Sequence, residues 1–240
     1  MKIKITLCYD GTSFNGSQIQ PDFPTIHSKL LEVLSILNIQ TTLDFSGRTD
    51  KGVHAFKQVV SCDIPHFWND IKKLQKALNK QLPSSIQIRN IQHVKDDFHA
   101  RFSARKREYR YLITTNKLTP FNANYISFYD DIDVKKIKEA CQLFTGIHDF
   151  EYFSKKGSDP VSTIREIYTI NFYKHKDIYV LNFKANSYLR SQIRMIVDFI
   201  MKISSGKLTL EDLKNQIEKK KLISWTLAPA NGLYLSKIHY

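Results

Sequence analysis

Residues 178–203 read IYVLNFKANSYLRSQIRMIVDFIMKI, and the spacing of the apolar residues changes within this stretch. Ile178–Ala185 is rich in aliphatic and aromatic residues, which predicts a strand. From Leu189 to Ile203 the apolar residues recur at helical spacing and form the strongest helical stripe of the chain. A strand followed by an apolar helix predicts a sheet packed against helices.

The same two patterns recur on both sides of this stretch. Further strands are predicted over Lys2–Tyr9, Ala55–Ile64, Ile86–Val94, Arg107–Thr115, Ile164–Tyr173 (a hairpin partner of Ile178–Ala185 across Lys174–Asp177) and Leu233–Tyr240. Further helices are predicted after Thr25, from Phe67 to Leu78, from Asp133 to Phe144 with Gly146 as its C-terminal stop, and from Thr209 with Asp212 in capping-box spacing. The sequence therefore predicts an α+β protein with two sheet-on-helix units, 1–105 and 106–240, whose boundary lies near residues 105–115.

The composition is that of a basic globular protein. The 240 residues include 36 Lys and Arg against 23 Asp and Glu, a net charge of +13, and 42% are apolar. An RNA or DNA partner is the commonest physical reason for such an excess, with an anionic membrane surface or a generally lysine-rich organism as alternatives. The apolar runs fall short of a membrane helix, and the N-terminus lacks the apolar core of a signal peptide. Three scattered cysteines predict reduced thiols in a cytoplasmic protein rather than disulfides or a zinc site.

Several patterns associated with enzymes are incomplete. Gly11–Gly16 has the glycine spacing of a phosphate loop, but Ser17 and Gln18 stand where such a loop has Lys and Ser or Thr. The eight histidines have no metal-binding spacing, and the pairs Asp96-Asp97 and Asp130-Asp131 are interpreted as solvated loop charges. Nucleotide hydrolysis and metal-assisted chemistry are therefore not predicted.

Residues 46–55 read SGRTDKGVHA and place one carboxylate between two cations in a glycine-bounded loop. Arg48 and Lys51 would favour the ionised form of Asp50 if they lie close to it. An ionised, positioned Asp can act as a nucleophile or base at a sugar carbon, as glycosidase carboxylates do. The alternative is an ordinary polar turn with an incidental ion pair.

Residues 98–111 read FHARFSARKREYRY and interleave aromatic rings with cations. Cations track phosphates while rings stack on unpaired bases, a combination typical of proteins that bind single-stranded RNA. The alternative is a solvated strand with its aromatic rings in the core.

The apolar helix further along the chain is interrupted by three charged residues: Arg190, Arg194 and Asp198. Arg194 and Asp198 could pair with each other, or Arg194 could meet Asp50 or a phosphate.

Taken together, these segments resemble the tRNA pseudouridine synthase A family. The segments that carry the resemblance are Tyr9–Gly16 (YDGTSFNG), Gly47–Ala55 (GRTDKGVHA), Phe98–Ala104 (FHARFSA) with Arg107–Tyr111 (REYRY), Tyr188–Val197 (YLRSQIRMIV) and Ala228–Leu235 (APANGLYL). They follow in collinear order across essentially the whole chain. Ser17 stands where the family usually has Trp, and Asp198 where it commonly has Gly; neither departure involves the catalytic Asp.

The resemblance implies an activity and roles for particular residues. The implied reaction isomerises uridine to pseudouridine at positions 38, 39 and 40 of the tRNA anticodon arm. Asp50 would be the catalytic carboxylate, Tyr109 would stack on the uracil, Arg194 would pair with Asp50, and Arg48 would bind substrate. The RNA-facing surface would include Lys51, Arg101, Arg105, Lys106, Arg107, Arg110 and Arg190.

The resemblance also implies a fold and partners. The fold would be two ferredoxin-like or RRM-like halves with largely antiparallel sheets joined around a basic central cleft, in a cytoplasmic homodimer without cofactor or metal. Two other interpretations remain open: a non-catalytic RNA-binding protein, and a pseudouridine synthase with another RNA target. The sequence leaves open whether Asp50 attacks the sugar, attacks the base or removes a proton to give a glycal.

Overall fold

The computed structural model describes residues 1–157 and 160–240, which form two compact units. The first unit comprises Met1–Arg105 and Tyr234–Tyr240, and the second comprises Lys106–Leu233. These units differ from the halves predicted at 1–105 and 106–240 in the placement of the C-terminal strand. That the halves are separate domains stays a prediction.

The elements follow one another in mixed α/β order. The strands are β1 (Lys2–Tyr9), β2 (Asp44–Phe45), β3 (His54–Asp63), β4 (Ile86–His93), β5 (Lys106–Thr114), β6 (Ser127–Phe128), β7 (Gly146–Asp149), β8 (Ile164–His175), β9 (Ile178–Ala185) and β10 (Leu233–His239). The α-helices are α1 (Ile26–Ile36), α2 (Ile71–Gln81), α3 (Val134–Phe144), α4 (Gln192–Ser204) and α5 (Leu210–Ile217), and short 3-10 helices span His66–Trp68 and Glu151–Phe153.

In the first unit the strand order is β4-β1-β3-β10, with β2 beside β3. The pairs of β1 with β3 and with β4 are antiparallel, whereas β10 joins β3 in parallel with Tyr234 opposite His54. In the second unit the order is β5-β9-β8-β7; these strands pair antiparallel, and the short β6 pairs in parallel with β5. The prediction of a mixed α/β fold with largely antiparallel sheets is thus confirmed.

Side-chain caps fix several helix starts where the sequence predicts them. Thr25 and Ser28 form a reciprocal capping box at α1, as Thr209 and Asp212 do at α5. Asp133 caps α3 by accepting a hydrogen bond from the backbone N–H of Lys136 at 3.0 Å.

Three boundaries differ from the prediction. Phe67 is not part of α2 but lies exposed in the preceding 3-10 helix, because Asp70 caps α2 after it. Leu189 precedes α4, and its N–H is bonded by the side chain of Gln192 at 2.7 Å. Gly146 is the first residue of β7 rather than a helix stop, and Thr145 is the C-cap of α3.

The core of the second unit includes α4, whose buried residues include Ile196, Val197 and Ile200.

Burial raises the pKa of the Cys62 and Cys141 thiols to about 12, so these free cysteines stay protonated at neutral pH. Among the described residues, every helix is too short or too polar to cross a membrane.

Candidate active site

Asp50 lies in the loop Ser46–Val53, which connects β2 to β3 and is called the Asp50 loop below. Its side chain is half-buried, while Arg48 and Lys51 on either side are exposed. The loop turns tightly: the Val53 N–H donates to the Asp50 carbonyl oxygen at 3.1 Å, and Gly52 has φ +76°. The positive φ explains the glycine at position 52, since other residues adopt that conformation at a cost.

Ser46 and Thr49 of the Asp50 loop form a buried polar cluster with Tyr9 of β1 and Gln58 of β3, which lie beneath the loop. Gln58 accepts from Ser46 Oγ at 2.7 Å and donates to the Gly47 carbonyl oxygen at 2.9 Å. Its Nε2 also donates to the Tyr9 hydroxyl at 3.4 Å, and that hydroxyl shares a further hydrogen bond with Thr49 Oγ1 at 2.8 Å. Burial raises the pKa of Tyr9 to about 12, so the phenol remains a neutral donor. The cluster fixes the backbone on the N-terminal side of Asp50.

His54 supports the C-terminal end of the Asp50 loop. Its Nδ1 is 3.0 Å from the Gly11 backbone nitrogen and 3.2 Å from Asp10 Oδ1. A backbone N–H can only donate, so Nδ1 is an acceptor and the approach to Asp10 is not an ion pair in this arrangement. The ring is buried and stacks on Tyr234 at 4.7 Å, and Tyr234 in turn stacks on Phe56 at 4.7 Å.

Gly11 allows the chain to pass directly against the end of this loop. A Cβ at Gly11 would lie 2.1 Å from the Val53 carbonyl oxygen, far inside van der Waals contact. The glycine spacing from Gly11 to Gly16, which resembles a phosphate loop in sequence, therefore has a packing cause at Gly11.

Tyr109 lies on β5 of the second unit. Its side chain is buried and makes an edge-to-face contact with Tyr188, with ring centroids 5.3 Å apart at 85°. Burial raises the pKa of Tyr188 well above the ordinary value, which keeps that phenol neutral. The aromatic pair is thus an apolar wall from which Tyr109 can present a ring face or edge.

Arg194 lies in the first turn of α4, half-buried, and is held by one backbone segment. Its Nε donates to the Ala228 carbonyl oxygen at 2.7 Å, and the Ala228 N–H donates to the Arg194 carbonyl oxygen at 3.0 Å. Tyr111 holds the next residue by donating to the Pro229 carbonyl oxygen at 2.9 Å. The motif at 228–235 therefore orients the Arg194 guanidinium from behind.

Gly232 in the same motif has no room for a side chain. A Cβ there would lie 2.6 Å from Ser127 Oγ and 2.8 Å from the Leu112 carbonyl oxygen. Asn231 ties the motif to the preceding loop by donating to the carbonyl oxygens of Ala123 and Ile126, at 2.6 and 3.0 Å.

Asp198, one turn after Arg194, forms an ion pair with Lys202. Its carboxylate lies 2.9 Å from Lys202 Nζ and also accepts a hydrogen bond from Thr226. Lys202 in turn donates to Ser224 Oγ at 3.0 Å. This departure from the family pattern therefore fastens α4 to the segment that leads to Ala228.

The basic residues predicted to face RNA differ in environment. The exposed members are Lys51, Arg101, Arg105, Lys106, Arg110 and Arg190. Arg107 is half-buried, and its guanidinium donates to the Asn186 carbonyl oxygen at 2.8 Å. Strand alternation places Lys106 and Arg110 on the opposite face of β5 from Arg107 and Tyr109.

The structure places Asp50 with Arg48 and Lys51 in the first unit, and Tyr109 with Arg194 in the second. The supporting residues Tyr9 and Gln58 were missed by the sequence analysis. Tyr9 begins the segment Tyr9–Gly16 that carries part of the resemblance, but its hydrogen-bond partners have no local signal, and Gln58 lies in an ordinary strand pattern.

The comparison with protein families identifies the class. The family model described as "tRNA pseudouridine synthase" matches residues 8–103 and 140–240. These ranges include the Asp50 loop, Arg194 and the C-terminal motif. The chain belongs to the tRNA pseudouridine synthase family.

The curated relatives named tRNA pseudouridine synthase A are similar over nearly their whole length. The protein from Campylobacter jejuni strain RM1221 is 44% identical over 240 residues, covering all of both chains. That from Wolinella succinogenes is 38% identical over 232 residues, covering 97% of this chain and 92% of the relative. That from Limosilactobacillus reuteri strain DSM 20016 is 35% identical, covering 100% of this chain and 96% of the relative. The chain is accordingly an isomerase that acts on tRNA.

Proposed function

We propose that this enzyme isomerises uridine to pseudouridine at positions 38, 39 and 40 of the tRNA anticodon arm, with Asp50 as the catalytic carboxylate. The observation that carries the proposal is the Asp50 loop itself: a half-buried carboxylate flanked by exposed Arg48 and Lys51 and held from beneath by buried hydrogen bonds. Fixed backbone support of this kind is what a positioned reacting group requires.

The proposed reaction needs a carboxylate beside the sugar and a means of keeping the detached base. The C1′–N1 bond breaks, the uracil rotates, and a C1′–C5 bond forms; the C5 proton leaves and N1 gains a proton. A carboxylate next to C1′ stabilises positive charge there, as in glycoside cleavage. Attack of Asp50 on the sugar, attack on the base, and a glycal route all use the same ionised group.

The second unit would supply the groups that retain the uracil and orient Asp50. Tyr109, backed by Tyr188 at 5.3 Å, would stack on the flipped base. Arg194, held through its Nε by the Ala228 carbonyl oxygen, would pair with Asp50 through its terminal nitrogens. Arg48 would contact the substrate from the Asp50 loop.

The basic side chains would bind the phosphates of the anticodon arm. The proposed set is Lys51, Arg101, Arg105, Lys106, Arg107, Arg110 and Arg190. We further propose that the two halves join around a basic cleft, and that the enzyme acts in the cytoplasm as a homodimer. The isomerisation has no redox or net group-transfer step, so the proposed mechanism requires no cofactor or metal.

Tritium release from tRNA that carries 5-[³H]uridine tests the proposal, measured with a chelator and without added nucleotide. Asp50→Ala is expected to abolish release while its affinity for tRNA stays near that of the native enzyme. Asp63→Ala, at the exposed far end of β3, is the matched control and should release tritium at the native rate.

Two outcomes would contradict the proposal. Residual turnover by Asp50→Ala would remove Asp50 from the catalytic role. Release that persists from tRNA with cytidine at positions 38, 39 and 40 would assign the enzyme to another uridine.

A further inference from the structure

We infer that Ser17 is a positioning residue for the reaction, because it clamps the backbone of Thr49, the residue directly before Asp50. The inference rests on the catalytic role proposed for Asp50. Ser17 stands where the family usually has Trp, and its small hydroxyl side chain makes contacts of its own.

Ser17 and Thr49 exchange two hydrogen bonds. The Thr49 N–H donates to Ser17 Oγ at 2.8 Å, and the Ser17 N–H donates to the Thr49 carbonyl oxygen at 3.0 Å. Ser17 is only 1% exposed, so water does not compete for either bond. Both polar groups of the peptide backbone at Thr49 are therefore bound by one residue.

Ser17 is itself fixed to the start of helix α1. The His27 N–H donates to the Ser17 carbonyl oxygen, and the Ile26 N–H donates to that of Gly16, both at 3.2 Å. These are first-turn N–H groups, which have no partner within a helix. The capping box at Thr25 fixes the same turn. A rigid helix end is thereby connected through Ser17 to the Asp50 loop.

Thr49 is held from its other side by the polar cluster beneath the loop. Its Oγ1 is 2.8 Å from the Tyr9 hydroxyl, so side chain and backbone have separate supports. Loss of the Ser17 hydroxyl would leave the backbone N–H of Thr49 buried without that acceptor. The loop would shift to recover a partner, and Asp50, the next residue, would move with it.

The expected effect is a slower chemical step with unchanged RNA affinity. A displacement of about 1 Å of a reacting group can cost as much as ~100-fold in rate. We expect Ser17→Ala to lower the single-turnover rate of tritium release by roughly 10- to 100-fold. The dissociation constant for tRNA should stay within about twofold of the native value, because Ser17 is buried and cannot reach the RNA.

Ser204→Ala is the matched control. Ser204 is a serine 3% exposed whose Oγ accepts a backbone N–H, that of Asp133, at 2.8 Å. It lies at the end of α4 and contacts none of the proposed catalytic residues in these hydrogen bonds. Its loss should lower the unfolding temperature comparably while leaving the single-turnover rate unchanged.

A graded variant keeps the test decisive if Ser17→Ala does not fold. Ser17→Cys has nearly the same shape but a weaker acceptor, so its rate should lie between those of the native enzyme and Ser17→Ala, at the same tRNA affinity. A native rate in both Ser17 variants, or an equal loss of rate in Ser204→Ala, would overturn the inference. Asp50→Ala, measured alongside, separates the two levels: turnover by that variant would overturn the catalytic role of Asp50 itself.

Discussion

Gly16 packs against the backbone of the Asp50 loop and has little room for a side chain. Its φ is +97°, and a Cβ there would lie 2.7 Å from the Thr49 carbonyl oxygen. Gly206 has a similar φ of +73° but has nothing within 4 Å of the position a Cβ would occupy. A comparison of alanine substitutions at Gly16 and Gly206 therefore distinguishes backbone strain from steric overlap.

We expect Gly16→Ala to destabilise the protein more than Gly206→Ala. Each substitution incurs the strain of a positive φ, about 1 kcal/mol or more, and overlap adds roughly 1–3 kcal/mol at Gly16 alone. Urea unfolding measures both, and tritium release should fall only in Gly16→Ala. Equal destabilisation by the two substitutions would mean that the contact with Thr49 relaxes without cost.

Burial of Tyr9 makes the free energy of unfolding depend on pH in the alkaline range. Burial raises its pKa to about 12 from the ordinary value near 10. Because the folded-state pKa is raised, the stabilising contribution is complete below pH 10 and is lost as the pH rises towards 12. A pKa shift of about two units corresponds to roughly 2–3 kcal/mol of free energy of unfolding.

Tyr9→Phe isolates this contribution from those of other buried phenols such as Tyr111 and Tyr188, which are present in both proteins. The difference in free energy of unfolding between the native enzyme and Tyr9→Phe should shrink between pH 10 and pH 12. A difference that stays constant over this range would show that the Tyr9 phenol is not kept neutral by burial.

At the scale of residues, the sequence predicted the local group and missed its supports. Arg48, Asp50 and Lys51 lie within four consecutive residues, so their charges were visible together. Ser17 and Tyr9 reach Thr49 across 32 and 40 residues of chain. A hydrogen bond formed over such distances depends on strand pairing and loop path, which periodicity does not specify.

At the scale of elements, we predict that the basic segment at the start of β5 binds RNA phosphates. Arg105 and Lys106 are both exposed. Replacing both with Gln should weaken tRNA binding and reduce the slope of log K against log salt by about 1.4–1.8, since each phosphate neutralised contributes about 0.7–0.9. Filter binding at several salt concentrations measures the slope.

The control for this experiment removes the same charge from lysines that already have carboxylate partners. Lys219 lies 2.6 Å from Asp149, and Lys220 lies 2.5 Å from Glu218. Replacing both with Gln should leave the salt slope close to native, because these cations are already neutralised. An equal change of slope in the two double variants would mean that only net charge matters and would remove Arg105 and Lys106 from the RNA surface.

Helices and long strands were predictable because their signals are local. Caps such as Thr25 and Asp133 bond within three residues, so the starts of α1 and α3 are visible in the sequence, whereas α2 and α4 begin later than predicted. The short strands β2, β6 and β7 were not predicted. Two to four residues contain too few alternations to show a period, and their pairing depends on partners distant in the chain.

At the scale of the whole molecule, the positive charge predicts a class of partner and nothing about its position. The first unit has 15 Lys and Arg against 9 Asp and Glu, and the second has 21 against 14. Both units are therefore basic, and neither alone accounts for the excess. Composition could not have separated a binding surface from solvated lysines, because most of these cations look alike until their contacts are known.

The C-terminal strand is the whole-molecule feature that sequence analysis assigned to the other half. Tyr234 lies opposite His54 in the parallel pair of β10 and β3, and its ring stacks on His54 at 4.7 Å. His54 follows the Asp50 loop and accepts the Gly11 N–H at 3.0 Å. The last residues of the chain therefore support the loop that carries the proposed catalytic carboxylate.

We expect Tyr234→Ala to lower both stability, by roughly 3–5 kcal/mol, and the single-turnover rate. Tyr179→Ala is the matched control, because it removes a ring stacked on Phe172 at 5.5 Å and 8° in the β8–β9 hairpin of the second unit. Urea unfolding and tritium release at a temperature where both variants are folded distinguish the effects. A loss of rate confined to Tyr234→Ala would mean that β10 contributes to catalysis by holding His54, whereas native rates in both variants would reduce β10 to a purely structural strand.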